Sequence, residues 1–189
     1  MKIAIIGNGN VGSALERGLK RAGHDVRATG RENVRETAEW GEVIILAVPF
    51  GAVDDALQTM NDAVNGKVLI DVTNPLGENM ALAIGCTNSG AEELQRKAPR
   101  AKVVKAFNTN FAQHMDTGRV GDAVLTTFAA ADDADARETA LQLATEIGFD
   151  AVNAGPLQNA RWLETLGYLN IQLAYVVGHG ARTGFYYIH

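Results

Sequence analysis

The stretch KIAIIGNGNVG, residues 2–12, decides the fold of this chain. The apolar run that ends at Ile6 has the length of a buried strand, and a helical pattern follows Gly12. A GxGxxG turn between a strand and a helix is typical of dinucleotide-binding folds. Gly7 allows the tight turn, Gly9 lets a pyrophosphate approach the backbone, and Gly12 lets the helix pack against the strand. We therefore expect a pyrophosphate at the positive, N-terminal end of this helix.

The end of the second predicted strand bears on the choice between NAD and NADP. Residues 24–29 form this strand, and Thr29 and Arg31 stand where an NAD site usually has Asp or Glu. Arg35 follows one helical turn later, while Glu32, which could face a ribose, lies beyond the strand tip. Two guanidinium groups and a hydroxyl group suit the 2′-phosphate of NADP, because charge-assisted bidentate hydrogen bonds favour a phosphate. We predict an NADP site; the alternative is that the two arginines form a solvated helix face.

The composition is typical of a soluble enzyme domain. Apolar residues make up 47% and charged residues 21% of the 189 residues, and this length favours one domain over residues 1–189. The net charge of −5 argues against partners such as nucleic acid or an anionic membrane. The apolar stretch 166–178 is too short to span a bilayer, and we expect no signal peptide, because the first predicted strand begins at residue 2. Cys86 is the one cysteine and is interpreted as a packing residue, so we expect a cytoplasmic protein in a reducing compartment.

Strands and helices alternate along the rest of the chain. Continuous apolar runs predict buried parallel strands, and helical spacing follows most of them. This order predicts an α/β fold with a doubly wound parallel sheet of the Rossmann type and a short C-terminal helical extension. The further strands are predicted at 43–48, 67–72, 102–107, 124–130 and 151–154, and the final helix at 157–177.

Candidate site residues follow the strands, because ligands of doubly wound sheets bind beyond the carboxyl ends of the strands. Each set alone has an ordinary explanation, since Pro and Asn end strands. Their coincidence at one edge favours a substrate cleft that segment 155–189 helps to form, with the N-terminus of the final helix pointing at it. The residues predicted to surround this cleft are Val48, Pro49, Phe50, Asn74, Pro75, Asn108, Thr109, Gly155, Pro156 and Leu157.

Motifs of several other enzyme classes are missing from the sequence. It contains no P-loop, HExxH, CxxC or GxSxG, so metal-dependent hydrolysis and serine acyl transfer have no support and no metal site is expected. His114 and His179 either approach the site or are ordinary core and surface histidines. Lys105, near a strand end, is interpreted as structural or as close to the ribose.

Six segments together resemble the NADP oxidoreductases that depend on the deazaflavin coenzyme F420. The KAFNT segment also resembles the cytosolic domain of the STEAP ferric reductases, which pass electrons from NADPH to a flavin. The six segments are GNGNVG at 7–12, TGR at 29–31, AVPF at 47–50, DVTNPL at 71–76, VVKAFNT at 103–109 and GPLQNARWLE at 155–164.

The resemblance implies which residues hold the cofactor. The glycine motif would bind the pyrophosphate, the end of strand two the 2′-phosphate, and two later strand ends the nicotinamide portion. The family often carries a histidine where this chain has Asn108. The implied contacts are Asn8, Gly9, Asn10 and Val11 for the pyrophosphate, Arg31 and Arg35 for the 2′-phosphate, and Val48, Pro49 and Ala112 beside the nicotinamide.

The resemblance also implies hydride transfer between NADP(H) and a deazaflavin or flavin ring. The cofactors then carry the chemistry, so no catalytic side chain is expected. Three functions remain open: a deazaflavin-linked NADP oxidoreductase, an NADPH-dependent flavin or small-molecule reductase, and a non-catalytic NADP(H) sensor. The final helix is apolar on several faces, so we expect it in the core or in a homodimer interface.

Overall fold

The computed structural model of the chain describes residues 1–77, 80–85 and 87–188. Cys86, predicted to be a packing residue, lies outside these residues. Within the described residues, seven strands form one sheet with helices on both faces, which confirms the Rossmann-type α/β fold. No helix of these residues is both long enough and apolar enough to cross a bilayer.

The elements follow the predicted alternation except between residues 107 and 125, where no α-helix separates the strands. The strands are β1 (Lys2–Ile6), β2 (Asp25–Thr29), β3 (Val43–Leu46), β4 (Val68–Asp71), β5 (Lys102–Ala106), β6 (Arg119–Val120), β7 (Ala123–Val124), β8 (Thr126–Ala130) and β9 (Asp150–Asn153). The helices are α1 (Asn10–Arg21), α2 (Val34–Trp40), α3 (Val53–Met60), α4 (Gly90–Lys97), α5 (Ala134–Ile147) and α6 (Ala160–Ile171). The strands of the large sheet lie in the order β2-β1-β3-β4-β5-β8-β9.

Two apolar cores hold the layers together, one on each face of the sheet. Successive side chains of a strand point to opposite faces, so Ile3 and Ile5 of β1 pack in one core and Ile6 in the other. All three are fully buried, as is Leu15 of α1. Burial of one such side chain stabilises the fold by about 1.5–3 kcal/mol, which explains why the apolar runs became strands.

The sheet departs from a wholly parallel arrangement at β8. This strand pairs with β5 in the antiparallel sense, with Lys105 opposite Ala130, and β9 then pairs with β8 in parallel. Parallel neighbours need a crossover connection, usually a helix. Residues 107–125 between β5 and β8 supply a single turn of 3-10 helix and the β6–β7 hairpin instead. The prediction of parallel pairing throughout is therefore wrong at β5–β8.

Because of this reversal, the turn after β9 lies at the end of the sheet where the parallel strands β1 to β5 begin, which we call the far edge. The carbonyl of Gly155 accepts the N–H of Ala131 at the carboxyl end of β8 (3.0 Å). The same edge holds the start of β5, because the ammonium of Lys102 lies 3.0 Å from Asp133 Oδ2. Leu157 is 2% exposed and packs in a core.

The expected position of this turn is therefore wrong. Gly155, Pro156 and Leu157 do not lie with the other strand-end candidates, and α6 begins at the opposite edge rather than pointing its N-terminus at the cleft. The helix runs toward the cleft, so its later turns reach it. The physical reason is the missing crossover helix before β8, which reversed the direction of the last two strands.

Candidate active site

The glycine turn between β1 and α1 has the geometry that its sequence predicts. Gly7 has φ +115°, and a Cβ there would lie 2.1 Å from the carbonyl oxygen of Ala47, while a Cβ on Gly12 would lie 1.8 Å from the oxygen of Gly7. A Cβ on Gly9 would meet nothing within 4 Å. Gly9 also caps α1 without a side-chain hydrogen bond, and the first turn has no acidic residue. The N-terminus of α1 therefore opens onto a space that suits an anion.

The end of β2 presents one unpaired arginine. Arg31 is exposed, and within the described residues its guanidinium has no hydrogen-bond or ion-pair partner. Arg35 is held elsewhere: its Nε donates to Glu39 Oε1 and its NH2 to Asp62 Oδ1, both at 2.8 Å. The two arginines predicted to bind the 2′-phosphate thus differ: Arg31 has all its donors available, whereas Arg35 uses its Nε and NH2 in two surface ion pairs.

Thr29 and Asn8 complete this end of the site. The hydroxyl of Thr29 donates to the carbonyl of Glu32, so it shapes the turn after β2. A Cβ on Gly30 would lie 3.1 Å from Asn8 Oδ1. The side chain of Asn8 therefore spans from the glycine turn to the end of β2, between the expected positions of the pyrophosphate and the 2′-phosphate.

Two adjoining cavities form a cleft at the carboxyl ends of β1, β3, β4 and β5. The first, of about 410 Å³, lies against residues 47–50 and 72–76. The second, of about 300 Å³, lies between residues 108–113 and the later part of α6. Asn10, Val11 and Asn74 line both, so we treat the two cavities as one site, the ring cleft.

The described residues that line the ring cleft include no Asp, Glu, Lys, Arg or His. Pro75 was expected there but is buried behind it, with its carbonyl accepting the N–H of Ala83 (2.7 Å). The predicted residues that do line the cleft are Val48, Pro49, Phe50, Asn74, Asn108, Thr109 and Ala112. Among the lining residues that the sequence analysis did not predict are Val72, Leu76, Met80 and Asn110. It also did not predict four residues of α6 and the turn that follows it, Gly167, Asn170, Ile171 and Tyr175.

A reciprocal pair of amides closes the floor of the cleft. Asn74 Nδ2 donates to the carbonyl of Asn108 (2.8 Å), and Asn108 Nδ2 donates to Asn74 Oδ1 (2.9 Å) and to the carbonyl of Leu163 on α6 (2.8 Å). Phe107, just before Asn108, has φ +64°. A non-glycine residue in this region is strained unless its surroundings hold it there. The pair therefore fixes both strand ends against α6.

The following turns of α6 continue this contact. A Cβ on Gly167 would lie 2.6 Å from Asn74 Oδ1, so only glycine lets the helix approach so closely. Asn170 Nδ2 donates to the carbonyl of Thr109 (3.0 Å). Gly167 and Asn170 inside an apolar helix were the available signal that α6 faces a site, because neither residue type favours a helix interior.

A buried charge network lies beneath the cleft. The Lys105 ammonium, 0% exposed, donates to Asp71 Oδ2 (2.7 Å), to the carbonyl of Thr73 (2.7 Å) and to Glu164 Oε1 (2.9 Å). Burial favours a lower pKa for Lys105, but Asp71 and Glu164 outweigh it and raise the pKa above its ordinary value. All three N–H bonds of the ammonium are used, so Lys105 is structural rather than close to the ribose.

Glu164 links this network to α4. Its Oε2 accepts the N–H of Gly90 (2.9 Å) and its Oε1 the N–H of Ala91 (3.2 Å), at the start of that helix. The positive end of a helix stabilises a carboxylate, which helps to balance two buried carboxylates against one ammonium. Sequence reasoning missed this role of Glu164, since its partners lie far away in the chain.

The sequence left the roles of His114 and His179 open, and neither residue lines the ring cleft. His114 is buried, and its Nε2 donates to the carbonyl of Ala181 (3.1 Å), while His179 is exposed. No cluster of three or more His, Cys, Asp or Glu side chains that could hold a metal ion occurs in residues 1–77, 80–85 and 87–188.

Comparison with known proteins identifies the family. The sequence model of the family described as "NADP oxidoreductase coenzyme F420-dependent" matches residues 2–40 and 31–75. An F420-dependent NADP reductase of Methanothermobacter marburgensis is 34% identical over 157 residues, which cover 79% of this chain and 69% of the relative. The chain belongs to this family. It is an NADP-dependent oxidoreductase.

Two further likenesses place this oxidoreductase among its relatives. A solved structure assigned to an F420-dependent NADP reductase of Arthrobacter sp. FB24 matches with a TM-score of 0.92 and 27% identity over 100% of both chains. The metalloreductase STEAP3 of Rattus norvegicus is 29% identical over 182 residues, 87% of this chain and 36% of STEAP3.

A side chain at Gly9 should remove cofactor binding without unfolding the oxidoreductase. We expect Gly9→Val to fold, because the added atoms enter open space, and to lose NADPH, because they occupy the expected position of the pyrophosphate. Fluorescence titration with NADPH and thermal unfolding measure the two effects. Gly12→Ala is the contrasting variant and should lose stability. Normal NADPH affinity in Gly9→Val would contradict the assigned role.

Arg31 should discriminate between the two nicotinamide cofactors. Loss of a hydrogen bond to a charged group costs about 1.5–3 kcal/mol, or roughly ten- to a hundredfold in affinity. We expect Arg31→Ala to weaken NADPH binding by this factor and to spare NADH. Arg35→Ala is the matched comparison and should have the smaller effect, since two carboxylates already hold Arg35. Equal losses for NADPH and NADH in Arg31→Ala would refute a 2′-phosphate contact.

Lys105 should contribute far more to stability than a surface lysine of the same strand. Lys105→Met leaves two buried carboxylates without their cation, a change that costs about 3–5 kcal/mol. Lys102→Met removes a half-exposed pair with Asp133, worth about 0–1 kcal/mol. Urea unfolding at neutral pH compares the two. Because the folded-state pKa of Lys105 is raised, its contribution persists below the ordinary lysine pKa and is lost only in strong alkali. Equal stability of the variants would count against the network.

Proposed function

We propose that this oxidoreductase transfers hydride between NADP(H) and a deazaflavin of the coenzyme F420 type. The observation that carries the proposal is the ring cleft itself. It begins at the N-terminus of α1, extends past the ends of three further strands, and has no charged side chain among its described lining residues. The Methanothermobacter and Arthrobacter relatives, which are both described as F420-dependent NADP reductases, support the same partner.

An uncharged cleft suits this reaction better than it suits acid–base chemistry. The hydride leaves C4 of the nicotinamide and forms a C–H bond on the deazaflavin ring, which also takes up one proton from solvent, so NADPH becomes NADP⁺ and the deazaflavin gains two electrons. The protein has to bind and orient the rings rather than supply a nucleophile. Holding two reactants in a productive geometry contributes about 7 kcal/mol or more in good cases. The tightly packed floor formed by Asn74, Asn108 and Gly167 supports such a rigid arrangement.

The cleft divides into a nicotinamide side and an acceptor side in this proposal. The nicotinamide lies nearer the glycine turn, and the second ring lies against the strand ends and α6. The pyrophosphate and 2′-phosphate contacts are Gly7, Asn8, Gly9, Asn10, Val11, Gly12, Thr29 and Arg31. Val48, Pro49 and Ala112 flank the nicotinamide, and Phe50, Asn74, Asn108 and Thr109 flank the second ring.

A flavin is the second candidate partner, and the likeness to STEAP3 over 87% of this chain favours it. A flavin and a deazaflavin share their tricyclic shape, so the same cleft accommodates either. A non-catalytic NADP(H) sensor would bind the cofactor and reduce neither. Turnover with each ring separates the three functions.

We also propose that the chain forms a homodimer through α6. α6 exposes Trp162 and Leu169, which lie seven residues apart and so share one face of the helix. Their exposed fractions are 59% and 48%. We expect a second copy of the chain to cover this face, which lies away from the Asn108 contacts.

The deciding experiment compares oxidation of NADPH by coenzyme F420, by FMN and by riboflavin at equal concentrations. We expect the deazaflavin to be reduced fastest. Asn108→Leu should lower turnover and leave NADPH affinity nearly unchanged, because it alters the acceptor side of the cleft. Asn153→Leu, the same change at the far edge of the sheet, should alter neither. Faster reduction of the flavins would favour the second candidate, and binding of NADPH without any turnover would favour the sensor.

A further inference from the structure

A basic cavity adjoins the ring cleft on the side of the 3-10 turn at Ala112–His114. It has a volume of about 380 Å³ and shares Gln113 with the ring cleft. Its described lining includes two arginines and a histidine but no carboxylate. The lining residues are Gln113, His114, Arg119, Val120, Gly121 and Arg182.

The C-terminal segment brings the second arginine to this cavity. The carbonyl of Ala181 accepts hydrogen bonds from Gln113 Nε2 and from His114 Nε2, the latter at 3.1 Å. A carbonyl can only accept, so His114 carries its proton on Nε2. These two bonds hold the segment against the 3-10 turn and thereby fix Arg182, the next residue, at the rim.

The β6–β7 hairpin supplies the other arginine. Arg119 is the first residue of β6, and its NH1 donates to the carbonyl of Asp122 across the turn (3.2 Å). Gly121 has φ +58° in that turn, a conformation that favours glycine. The hairpin thus presents the guanidinium with donors left to meet a ligand.

Neither guanidinium is neutralised by the part of the chain that the structure describes. Arg119 and Arg182 lie beyond ion-pair distance of every described carboxylate, whereas Arg17 pairs with Asp116 at 3.4 Å nearby. The chain as a whole carries a net charge of −5. Two uncompensated arginines at one cavity therefore make a local positive region on an acidic protein, and such a region concentrates anions.

We propose that this basic cavity binds the anionic side chain of the second substrate, a phosphate or carboxylate group attached to the ring that the ring cleft holds. This inference rests on the proposed function. The uncharged cleft takes the ring, and the side chain passes Gln113 into the cavity. A deazaflavin coenzyme that carries a phosphodiester on its ribityl chain has the chemistry that the two guanidinium groups recognise.

The cavity gives the oxidoreductase a means of selecting its substrate. The ring cleft has no charged side chain among its described lining residues, so the cleft alone discriminates little between tricyclic compounds of the same shape. The two arginines of the basic cavity add a preference for compounds with an anionic side chain. The contact lies away from the reacting atoms, so it changes affinity rather than the rate of hydride transfer.

The test compares two deazaflavins with the same ring: coenzyme F420, and its chromophore with the ribityl chain alone and no phosphate. Fluorescence titration gives the affinity of the full-length protein for each, and NADPH oxidation gives KM and kcat. We expect the wild type to bind F420 at least about tenfold more tightly, since contacts to a charged group are worth this much. This preference should shrink as ionic strength rises.

The double variant Arg119→Ala/Arg182→Ala should lose the preference. We expect its affinity for F420 to fall about tenfold or more, to that of the phosphate-free ring, with kcat and the affinity for the phosphate-free ring unchanged. Arg21→Ala/Arg100→Ala, which removes two exposed arginines that do not line the cavity, is the matched control and should keep the preference.

The outcomes separate this proposal from the proposed function. A preference for F420 that depends on the two arginines, without hydride transfer, supports the cavity and overturns the reaction. Turnover of both deazaflavins with equal affinity supports the reaction and overturns the cavity. Inorganic phosphate is titrated separately: if it binds through the same arginines while the two deazaflavins bind equally, the cavity serves a free anion and the proposal is wrong.

Discussion

The buried ammonium of Lys105 joins three parts of the chain that the sequence keeps far apart. It binds the carboxylate that ends β4, the backbone of the loop after it, and Glu164 on α6, which in turn holds the start of α4. Removing these charges from water is costly unless each is paired and hydrogen-bonded. The network therefore holds together only in one arrangement, so α6 and the loop after β4 take fixed positions relative to the sheet.

The ring cleft depends on that fixed position. One helical turn beyond Glu164, Gly167 meets the amide pair of Asn74 and Asn108, and Asn170 reaches the carbonyl of Thr109. A helix anchored at several successive turns cannot shift without leaving buried polar groups unpaired, and each such loss costs about 1–3 kcal/mol. The wall of the cleft is rigid for this reason, which the proposed stacking of two rings requires.

Charge is distributed along the site in a way that matches its proposed ligands. Free donors occur at the N-terminus of α1 and at Arg31, the ring cleft carries no charged side chain among its described residues, and Arg119 and Arg182 stand at its other end. Anionic groups at either end and the two rings between them fit this order. The buried charges of Lys105, Asp71 and Glu164 interact with one another and with the start of α4, and none of these residues lines the ring cleft.

Local patterns in the sequence were enough to predict the glycine turn, the apolar strands, the Rossmann-type sheet and part of the uncharged cleft lining, because strand burial and tight turns depend on neighbouring residues. They could not show that β8 runs antiparallel to β5, which moved Leu157 to the far edge. They could not show that Arg35 is hydrogen-bonded to Glu39 and Asp62, whereas Arg31 has no partner among the described residues. Contacts between distant parts of the chain also determined the partners of Lys105 and the contacts of α6. They placed Arg119 and Arg182 at the same cavity. Such contacts arise when packed layers bring separate segments together, and no short stretch of sequence records them.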